Sequence, residues 1–383
     1  MNHLAAICIA LLILGCEVQP EPPKSVLTLS PRIDTSDATN QAIVAALTDF
    51  LATKNASAAE NAHWLPADFE SYTYPYLDIV HIEHSDGGDG VYSASLMELL
   101  HTANSNQTIV KLAFIGHDPK SHENRLKAIY NLLANNANGK IYFSRYLDYA
   151  TQTWPTHTTA DVTYKISPGK TFNAAEAAKQ QHDIERICTF FDCTPLPITY
   201  YSCANAKEVF EIKGFDYHPM MYISDTGGLA DYGNLIFSGS NSEVYTHEVV
   251  HIYTLNLFPN LHRFLDEGIA TYIGGSGQQS YTWHRDKLQR FLDENSDFDV
   301  SGHFDPYERL YFEEETPIPY TIGALIMERT LRMKGNSGLL ALLASENELW
   351  ATLSIAGLTP ENINSELRAE LNRPKTLPWP DGE

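Results

Sequence analysis

Two histidines four residues apart, with a glutamate directly after the first, most constrain how this chain can fold. They are His247, Glu248 and His251, in the stretch THEVVHIYTLNLFPNLHRFLDEGIATY from residue 246 to residue 272. Side chains four residues apart lie one turn above each other on the same face of an α-helix. The sequence therefore predicts a helix from which both imidazoles project toward one point.

The bounds of this helix can be predicted from local signals. Ser240 and Glu243 have the spacing of a capping box, which favours a helix beginning there. Pro259 favours an end near Phe258.

A second helix is predicted to carry Glu267, sixteen residues after His251. The segment NLHRFL favours a turn, and DEGIATY is typical of a helix that stops at two glycines, 274 and 275. Gly268 has no side chain, and we expect it to let the two helices approach closely.

Two imidazoles and one carboxylate are ligands that Zn²⁺ takes in catalytic sites, where the fourth position is kept for water. Glu267 could supply the third ligand beside His247 and His251. Glu248 would then lie near the bound water and could act as a general base. The alternative is an amphipathic helix whose histidines are satisfied core residues.

HEVVH followed by FLDEGIATY resembles the gluzincin clan of zinc metallopeptidases, with peptidase MA-like members. The resemblance covers residues 171–372 and implies a zincin-like domain. It implies that Glu248 is the general base and that the zinc ligands are His247, His251 and Glu267. The function it implies is zinc-dependent hydrolysis of a peptide or protein substrate.

The clan commonly uses a tyrosine or histidine from its helical half to bind the oxyanion of the reaction. Tyr320, at the start of a predicted helix, is our candidate for this donor. The alternatives are Tyr307, Tyr311 and His303, or a Tyr320 that only packs in the core. Asp266 could hydrogen-bond a ligand histidine or could be a solvated helix-cap acid.

The segment GGLADYGNLIFSG, residues 227–239, lies where clan members have an edge strand that pairs with extended peptide. From its residues we predict a loop leading into a strand. It lacks the G-x-M-E-N pattern of the clan's aminopeptidases. Recognition of a free N-terminus is therefore not expected.

The chain starts with MNHLAAICIALLILGC, whose apolar run is too short to span a bilayer and is typical of an export signal. Its last four residues resemble the lipobox of bacterial lipoproteins, which implies acylation of Cys16 and a place in the bacterial cell envelope. Two features depart from that pattern, because the run follows no Lys or Arg and Leu14 is bulky. The alternative is a signal cleaved elsewhere and a freely secreted product.

Composition then divides the rest of the chain. Residues 17–40 are rich in Pro, Ser, Thr and charge, which predicts a flexible tether. With 48 acidic against 26 basic residues and a net charge of -22, nucleic acid is not an expected partner. The sequence predicts no oligomeric state.

Residues 41–170 mix helix and strand patterns and are predicted to form an α+β module whose element order resembles an NTF2-like cone. Residues 40–53 place Ile43, Leu47, Phe50 and Leu51 on one helical face. A second helix is predicted over 122–139, before a glycine stop, and strands over 76–84, 108–116, 140–149 and 161–167.

Residues 171–383 are predicted to form the zincin-like domain, with a small sheet and a mostly helical C-terminal half. The overall fold class is therefore α+β. Three cysteines lie in this part, and Cys193 and Cys203 flank an extended stretch that holds them too far apart for a disulfide. Either a pair that includes Cys188 forms, or all three stay reduced.

The leading functional hypothesis is a membrane-tethered, extracytoplasmic zinc peptidase. A zincin-fold binding lipoprotein without turnover is the main alternative. Zinc-dependent hydrolysis of a non-peptide bond is the third.

Overall fold

The computed structural model describes residues 27–84, 90–118, 121–312 and 316–379. These residues form an α+β protein with two larger sheets, one two-stranded sheet and a largely helical C-terminal half, which confirms the predicted fold class. The predicted export signal, the acylated Cys16 and residues 17–26 of the predicted tether lie outside the described residues. The likeness to an NTF2-like cone stays a prediction.

The first sheet has six strands and is mainly antiparallel. Its strands follow the order β1-β2-β3-β4-β5, and β9 also pairs with β4. Strand β1 lies within the predicted tether and pairs in parallel with β2. This part of the tether is therefore a strand of the sheet. The bounds are β1 Thr28–Leu29, β2 Tyr92–His101, β3 Gln107–Asp118, β4 Glu123–Ala137, β5 Lys140–Arg145 and β9 Phe215–Tyr217.

Helix α1, Ala38–Thr53, packs one face against this sheet. Its buried residues are Ile43, Leu47, Phe50 and Leu51, as the helical pattern predicts. The ring of Phe50 lies 5.3 Å from that of Trp64 and 5.5 Å from that of Phe143 on β5. Two short helices, α2 at Pro66–Tyr72 and α3 at Leu147–Thr151, complete this part.

The helix predicted over 122–139 is wrong, because these residues form strand β4. The strand pairs with β3 along its whole length and with β5 or β9 on its other edge. Its buried side chains include Ala128, Tyr130, Leu132 and Ala134, which alternate along the chain. Pairing on both edges stabilises the strand despite its good helix formers.

The glycine that was taken as a helix stop is part of a hairpin turn. Asn138 and Gly139 both have positive φ, 54° and 86°, and connect the paired residues Ala137 and Lys140. An Asn-Gly pair is the usual sequence of such a two-residue turn. The strand predicted over 76–84 is also wrong, since a 3₁₀ turn at Leu77–Ile79 and further turns lie there.

The second sheet has five strands in the order β10-β11-β8-β7-β6. The strands β7, β8 and β11 run parallel, while β6 and β10 are antiparallel edges. Strands β6 and β7 both precede residue 170, and β7 joins them to β8, which follows it. Strand β9 follows residue 170 but belongs to the first sheet. The bounds are β6 Thr156–Thr158, β7 Val162–Ile166, β8 Ile198–Ser202, β10 Gly228–Asp231 and β11 Leu235–Ser238.

The remaining elements are mostly helices, as predicted. Helix α9 is interrupted at Gly335, whose φ of 67° and ψ of -175° are not helical. None of the described helices combines the length and apolarity that a bilayer crossing needs. The bounds are α4 Ala174–Phe191, α5 Ala206–Lys213, α6 Thr246–Leu257, α7 Arg263–Gly274, α8 Tyr281–Glu294, α9 Ile318–Leu343, α10 Leu349–Leu353 and α11 Ile363–Leu371, with a short hairpin of β12 Tyr311–Phe312 and β13 Thr316–Pro317.

Three cysteines fall within the described residues, and all three are free thiols. Cys188 and Cys203 are buried, and Cys193 is partly exposed. The structure thus has the reduced alternative of the two that the sequence leaves open.

Two glycines let α7 cross α9 with backbone against backbone. A Cβ on Gly268 would lie 2.6 Å from the carbonyl carbon of Gly323, and one on Gly323 would lie 2.8 Å from the Cα of Gly268. The prediction that Gly268 serves the approach of α6 and α7 is therefore wrong. Gly274 has that role, because a Cβ there would lie 2.4 Å from the backbone nitrogen of His247.

Replacing Gly268 by alanine should destabilise the fold. The added methyl meets backbone atoms that no rotamer change can move, so the free energy of unfolding should fall by about 1–3 kcal/mol. Urea unfolding of Gly268→Ala measures this change. Gly169→Ala is the matched control, since a Cβ there meets nothing within 4 Å; equal stability of the two variants would contradict the close crossing.

Candidate metal centre

Helix α6 begins at Thr246, after Tyr245 as its N-cap, and ends at Leu257. The capping box predicted at Ser240 and Glu243 is wrong. The Glu243 carboxylate instead accepts hydrogen bonds from Ser202 Oγ at 2.7 Å and the backbone N–H of Asn173 at 3.1 Å. Lys170 pairs with it at 3.4 Å, and these long-range partners compete successfully with a local cap.

The two histidines of α6 bring their Nε2 atoms together. His247 Nε2 lies 3.2 Å from His251 Nε2, and both side chains are buried, with 7% of each residue exposed. Helix α7 places Glu267 against them, with Oε2 3.3 Å from His247 Nε2 and 3.4 Å from His251 Nε2. Among the residues that the structure describes, this is the group of His, Cys, Asp and Glu that could hold a metal ion.

The three separations fit the geometry of zinc. Nitrogen and oxygen ligands at about 2.0–2.2 Å from a tetrahedral Zn²⁺ lie about 3.3–3.6 Å apart. An octahedral metal with bonds of the same length would bring neighbouring ligand atoms to about 2.8–3.1 Å. The observed 3.2, 3.3 and 3.4 Å lie at or close to the tetrahedral values, so the three atoms could share one ion.

The other ring nitrogens of both histidines face oxygen acceptors. His247 Nδ1 lies 2.6 Å from the carbonyl oxygen of Gly275, and His251 Nδ1 lies 3.0 Å from Asp266 Oδ1. The Gly275 contact holds the ring proton of the neutral His247 imidazole on Nδ1, because a carbonyl oxygen can only accept it. Once His251 loses the second proton that its carboxylate neighbours favour, both Nε2 atoms offer lone pairs beside the Glu267 oxygen, an arrangement that a cation stabilises.

The charges around the cluster also favour a cation there. Burial acts to lower the pKa of His251, but Asp266 and Glu267 outweigh it and raise that pKa well above its usual value. Burial acts to raise the pKa of Glu267, but the contacts with His247 and His251 hold it far below its usual value. The carboxylates thus give this point a negative potential that a positive charge relieves.

Asp266 acts on a ligand histidine rather than as a solvated cap. Its Oδ1 atom contacts His251 and also accepts a hydrogen bond from Thr254 Oγ1 at 2.6 Å. The carboxylate is buried, with 6% of the residue exposed. His262 caps α7 by accepting the N–H of Phe264 at 3.2 Å.

Glu248 is buried beside the cluster, with 6% of the residue exposed. Its Oε2 atom accepts a hydrogen bond of 2.7 Å from the backbone N–H of Ala230 on the edge strand β10. Tyr245, three residues before it, hydrogen-bonds the same carboxylate, and burial together with Glu248 raises the pKa of Tyr245. The carboxylate is thus held between a strand edge and a tyrosine hydroxyl.

Tyr320 lies at the start of α9, next to the cluster. Its ring centroid is 6.2 Å from that of His247, with 12° between the planes, and its hydroxyl hydrogen-bonds Glu267. Burial raises the pKa of Tyr320, and the Glu267 charge adds to this effect. The hydroxyl therefore keeps its proton at neutral pH and can donate a hydrogen bond.

The other donors considered from the sequence are His303, Tyr307 and Tyr311. His303 Nδ1 is 2.9 Å from Glu308, and the side chains of Tyr307 and Tyr311 are 71% and 46% exposed. Tyr307 contacts Arg263 at the rim of the cluster. The role of Tyr320 as oxyanion donor stays a prediction.

The edge strand that carries Ala230 is attached to the first sheet by ion pairs. Asp231 Oδ2 lies 3.1 Å from an amino group of Arg145 on β5 and 2.9 Å from Lys213 Nζ on α5. Burial acts to raise the pKa of Asp231, but Lys213 and Arg145 lower it below its usual value. These ion pairs hold β10 in place through the Asp231 side chain. The outer main-chain edge of the strand therefore stays toward Glu248.

Sequence reasoning missed two residues of this site, Tyr245 and Arg263. Arg263 Nε lies 3.8 Å from Glu267 Oε1, and Tyr245 faces Glu248. Helical spacing could have indicated both residues, because Arg263 lies four residues before Glu267 and Tyr245 lies three residues before Glu248. The segment predicted to lead as a loop into a strand is instead the hairpin of β10 and β11.

Comparisons with known proteins give limited information. No family model matches the sequence, and no curated protein matches it. Among solved structures, the chain is similar to the M1 zinc metallopeptidase from Deinococcus radiodurans, with a TM-score of 0.30 and 14% sequence identity. The match covers 76% of this chain and 65% of the length of that enzyme. A likeness this distant assigns no family, so the function must be inferred from the site.

The candidate ligands can be tested by metal content. His251→Ala should lose stoichiometric zinc after dialysis, because two ligands remain, and zinc should no longer raise its unfolding temperature. His182→Ala, on an exposed face of α4, is the matched control and should bind one zinc per chain. Full zinc content in the His251 variant would contradict the assignment.

Proposed function

We propose that this protein is a zinc-dependent peptidase that hydrolyses peptide bonds with Glu248 as the general base. The observation that carries the proposal is a buried carboxylate beside three convergent ligand atoms. The ligands are His247, His251 and Glu267, and Glu248 follows the first of them directly. Two neutral imidazoles and one carboxylate leave a positive charge on zinc and an open position for water.

Zinc held by these residues would lower the pKa of a bound water to about 7 and polarise a substrate carbonyl. Glu248 is placed to accept the proton that the attacking water loses, and then to give it to the leaving amine. Its hydrogen bond from Ala230 holds the carboxylate at the edge of β10.

Tyr320 supports the proposal from the opposite helix. Its protonated hydroxyl can donate a hydrogen bond to the substrate carbonyl oxygen as negative charge develops on that atom. Its contact with Glu267 keeps the ring near the ligands before substrate binds.

The strand β10 supports binding of an extended peptide. It is the outer strand of the second sheet, and the N–H of Ala230 points away from β11 toward Glu248. An edge strand binds an extended chain through main-chain hydrogen bonds with little side-chain selectivity. A peptide paired there would lie beside the general base.

The substitution Glu248→Gln tests the catalytic step. The amide cannot accept the proton, so the turnover of a mixed peptide library should fall by at least about 100-fold while zinc content stays the same. Glu185→Gln, on the exposed face of α4, is the matched control and should keep full activity. Zinc removal by a chelator should abolish cleavage, and added zinc should restore it.

The same experiment separates the other functions. Selective peptide binding without cleavage by zinc-loaded protein would favour a binding protein without turnover. Hydrolysis of esters or other amides without cleavage of peptides would favour a non-peptide substrate. Either result would contradict the proposed peptidase function.

We also infer that the protein acts outside the cytoplasm of a bacterial cell, anchored by a lipid on Cys16. The support is the lipobox-like sequence Ile13-Leu14-Gly15-Cys16 after an apolar run. The Cys16→Ala variant should therefore lose labelled fatty acid and leave the membrane fraction. Cys193→Ala is the control, since Cys193 lies in the folded part. Unchanged membrane association of the Cys16 variant would contradict the anchor.

A further inference from the structure

Arg263 lies directly beside the candidate metal centre and is partly open to solvent. Its side chain is 56% exposed. Its Nε atom is 3.8 Å from Glu267 Oε1, the carboxylate oxygen that does not face the histidines, and Nη1 is 3.9 Å from Asp266 Oδ2. The guanidinium therefore lies just outside the ligand cluster.

The hydrogen-bonding capacity of Arg263 is not exhausted by these contacts. Distances of 3.8 and 3.9 Å exceed the usual hydrogen-bond range of about 2.7–3.2 Å. Its side-chain hydrogen bond joins it to Tyr307. A guanidinium has five N–H donors in one plane. Some of the N–H groups of Arg263 therefore remain able to donate to an oxygen ligand.

Arg263 lies between the end of strand β10 and the candidate metal centre in electrostatic terms. It acts electrostatically on Tyr232, which directly follows β10, and on Tyr320 at the start of α9, and it lies 3.8 Å from Glu267. We therefore expect a chain that pairs with β10 and continues toward Tyr232 to approach Arg263.

The positive charge of Arg263 is opposite to the net charge of the chain. Acidic residues outnumber basic ones by 48 to 26, so most of the surface repels a carboxylate. An arginine is also the side chain that best matches a carboxylate, because two parallel N–H groups can donate to its two oxygens.

We propose that Arg263 binds a carboxylate of the substrate next to the bond that is cut. The inference rests on the proposed peptidase function and names its substrate class: peptides cleaved near a carboxylate. The carboxylate comes from a free C-terminus or from an acidic side chain, and the two sources are distinguished by the substrates below.

The first test compares two identical peptides, one ending in a carboxylate and one in a carboxamide. The zinc-loaded protein should cleave the acid with a kcat/KM at least about 10-fold higher, because a charged hydrogen bond is lost with the amide. In Arg263→Gln the acid and the amide should be cleaved equally. Arg263→Lys should keep part of the preference, since it keeps the charge but not the paired donors.

A second pair of peptides tests the side-chain source. Both end in a carboxamide, and one has Glu where the other has Gln at successive positions around the cleaved bond. A preference for Glu that disappears in Arg263→Gln would assign the carboxylate to a side chain, and a preference confined to the first pair would assign it to the C-terminus.

If Arg263 only supported Glu267, its substitution would give a different kinetic result. A variant that only disturbs the ligand would lower kcat/KM for acid and amide by the same factor and would bind less zinc. Such equal losses would overturn the inference. Arg290→Gln, an exposed arginine of α8, is the matched control and should leave the preference unchanged.

Peptide binding gives a readout that does not need turnover. In zinc-loaded Glu248→Gln protein, the acid peptide should bind at least about 10-fold more tightly than the amide, and adding Arg263→Gln should remove the difference. Equal efficiency of cleavage and binding within both pairs of peptides would overturn the inference and leave the peptidase function. Selective binding of the acid without cleavage by the unsubstituted protein would support the role of Arg263 and contradict the peptidase function.

Discussion

Three electron-pair donors held 3.2–3.4 Å apart in a buried site form the contact on which the rest of this account depends. Without a positive charge, their mutual repulsion would be costly in surroundings of low dielectric. The fold nevertheless holds them from several sides. Gly274 lets α7 lie against the backbone of His247, and the crossing of Gly268 with Gly323 fixes α7 against α9. The Gly275 carbonyl and Asp266 then orient the two imidazoles.

The first sheet is connected to this centre through the edge strand β10. Arg145 and Lys213 pair with Asp231, and the next residue back, Ala230, donates its N–H to Glu248. Removing one member of a buried ion pair leaves the other charge uncompensated, which is strongly destabilising. The N-terminal part therefore supports the strand that holds the candidate general base. This connection also explains why strands cross the boundary at residue 170 in both directions.

The sequence predicts the convergence of His247 and His251 because helical spacing alone brings them onto one face. Strand β4 was mistaken for a helix because its pairing partners are distant in sequence, although Asn138-Gly139 marked the hairpin. The capping box at Glu243 failed for a related reason, since Lys170 and Ser202 bind that carboxylate from other elements. The four-residue spacing of Arg263 and Glu267 puts them on one helical face, but the exposure of Arg263 beside Glu267 depends on the packing of other elements, so Arg263 was missed.

The central claim is that two imidazoles and one carboxylate hold a tetrahedral zinc ion. X-ray absorption at the zinc edge of the loaded protein measures the ligands of the ion directly. We expect four nitrogen or oxygen neighbours at about 2.0–2.2 Å, with the outer scattering of two imidazole rings. A sulfur neighbour, six neighbours, or scattering from fewer than two imidazoles would contradict the account.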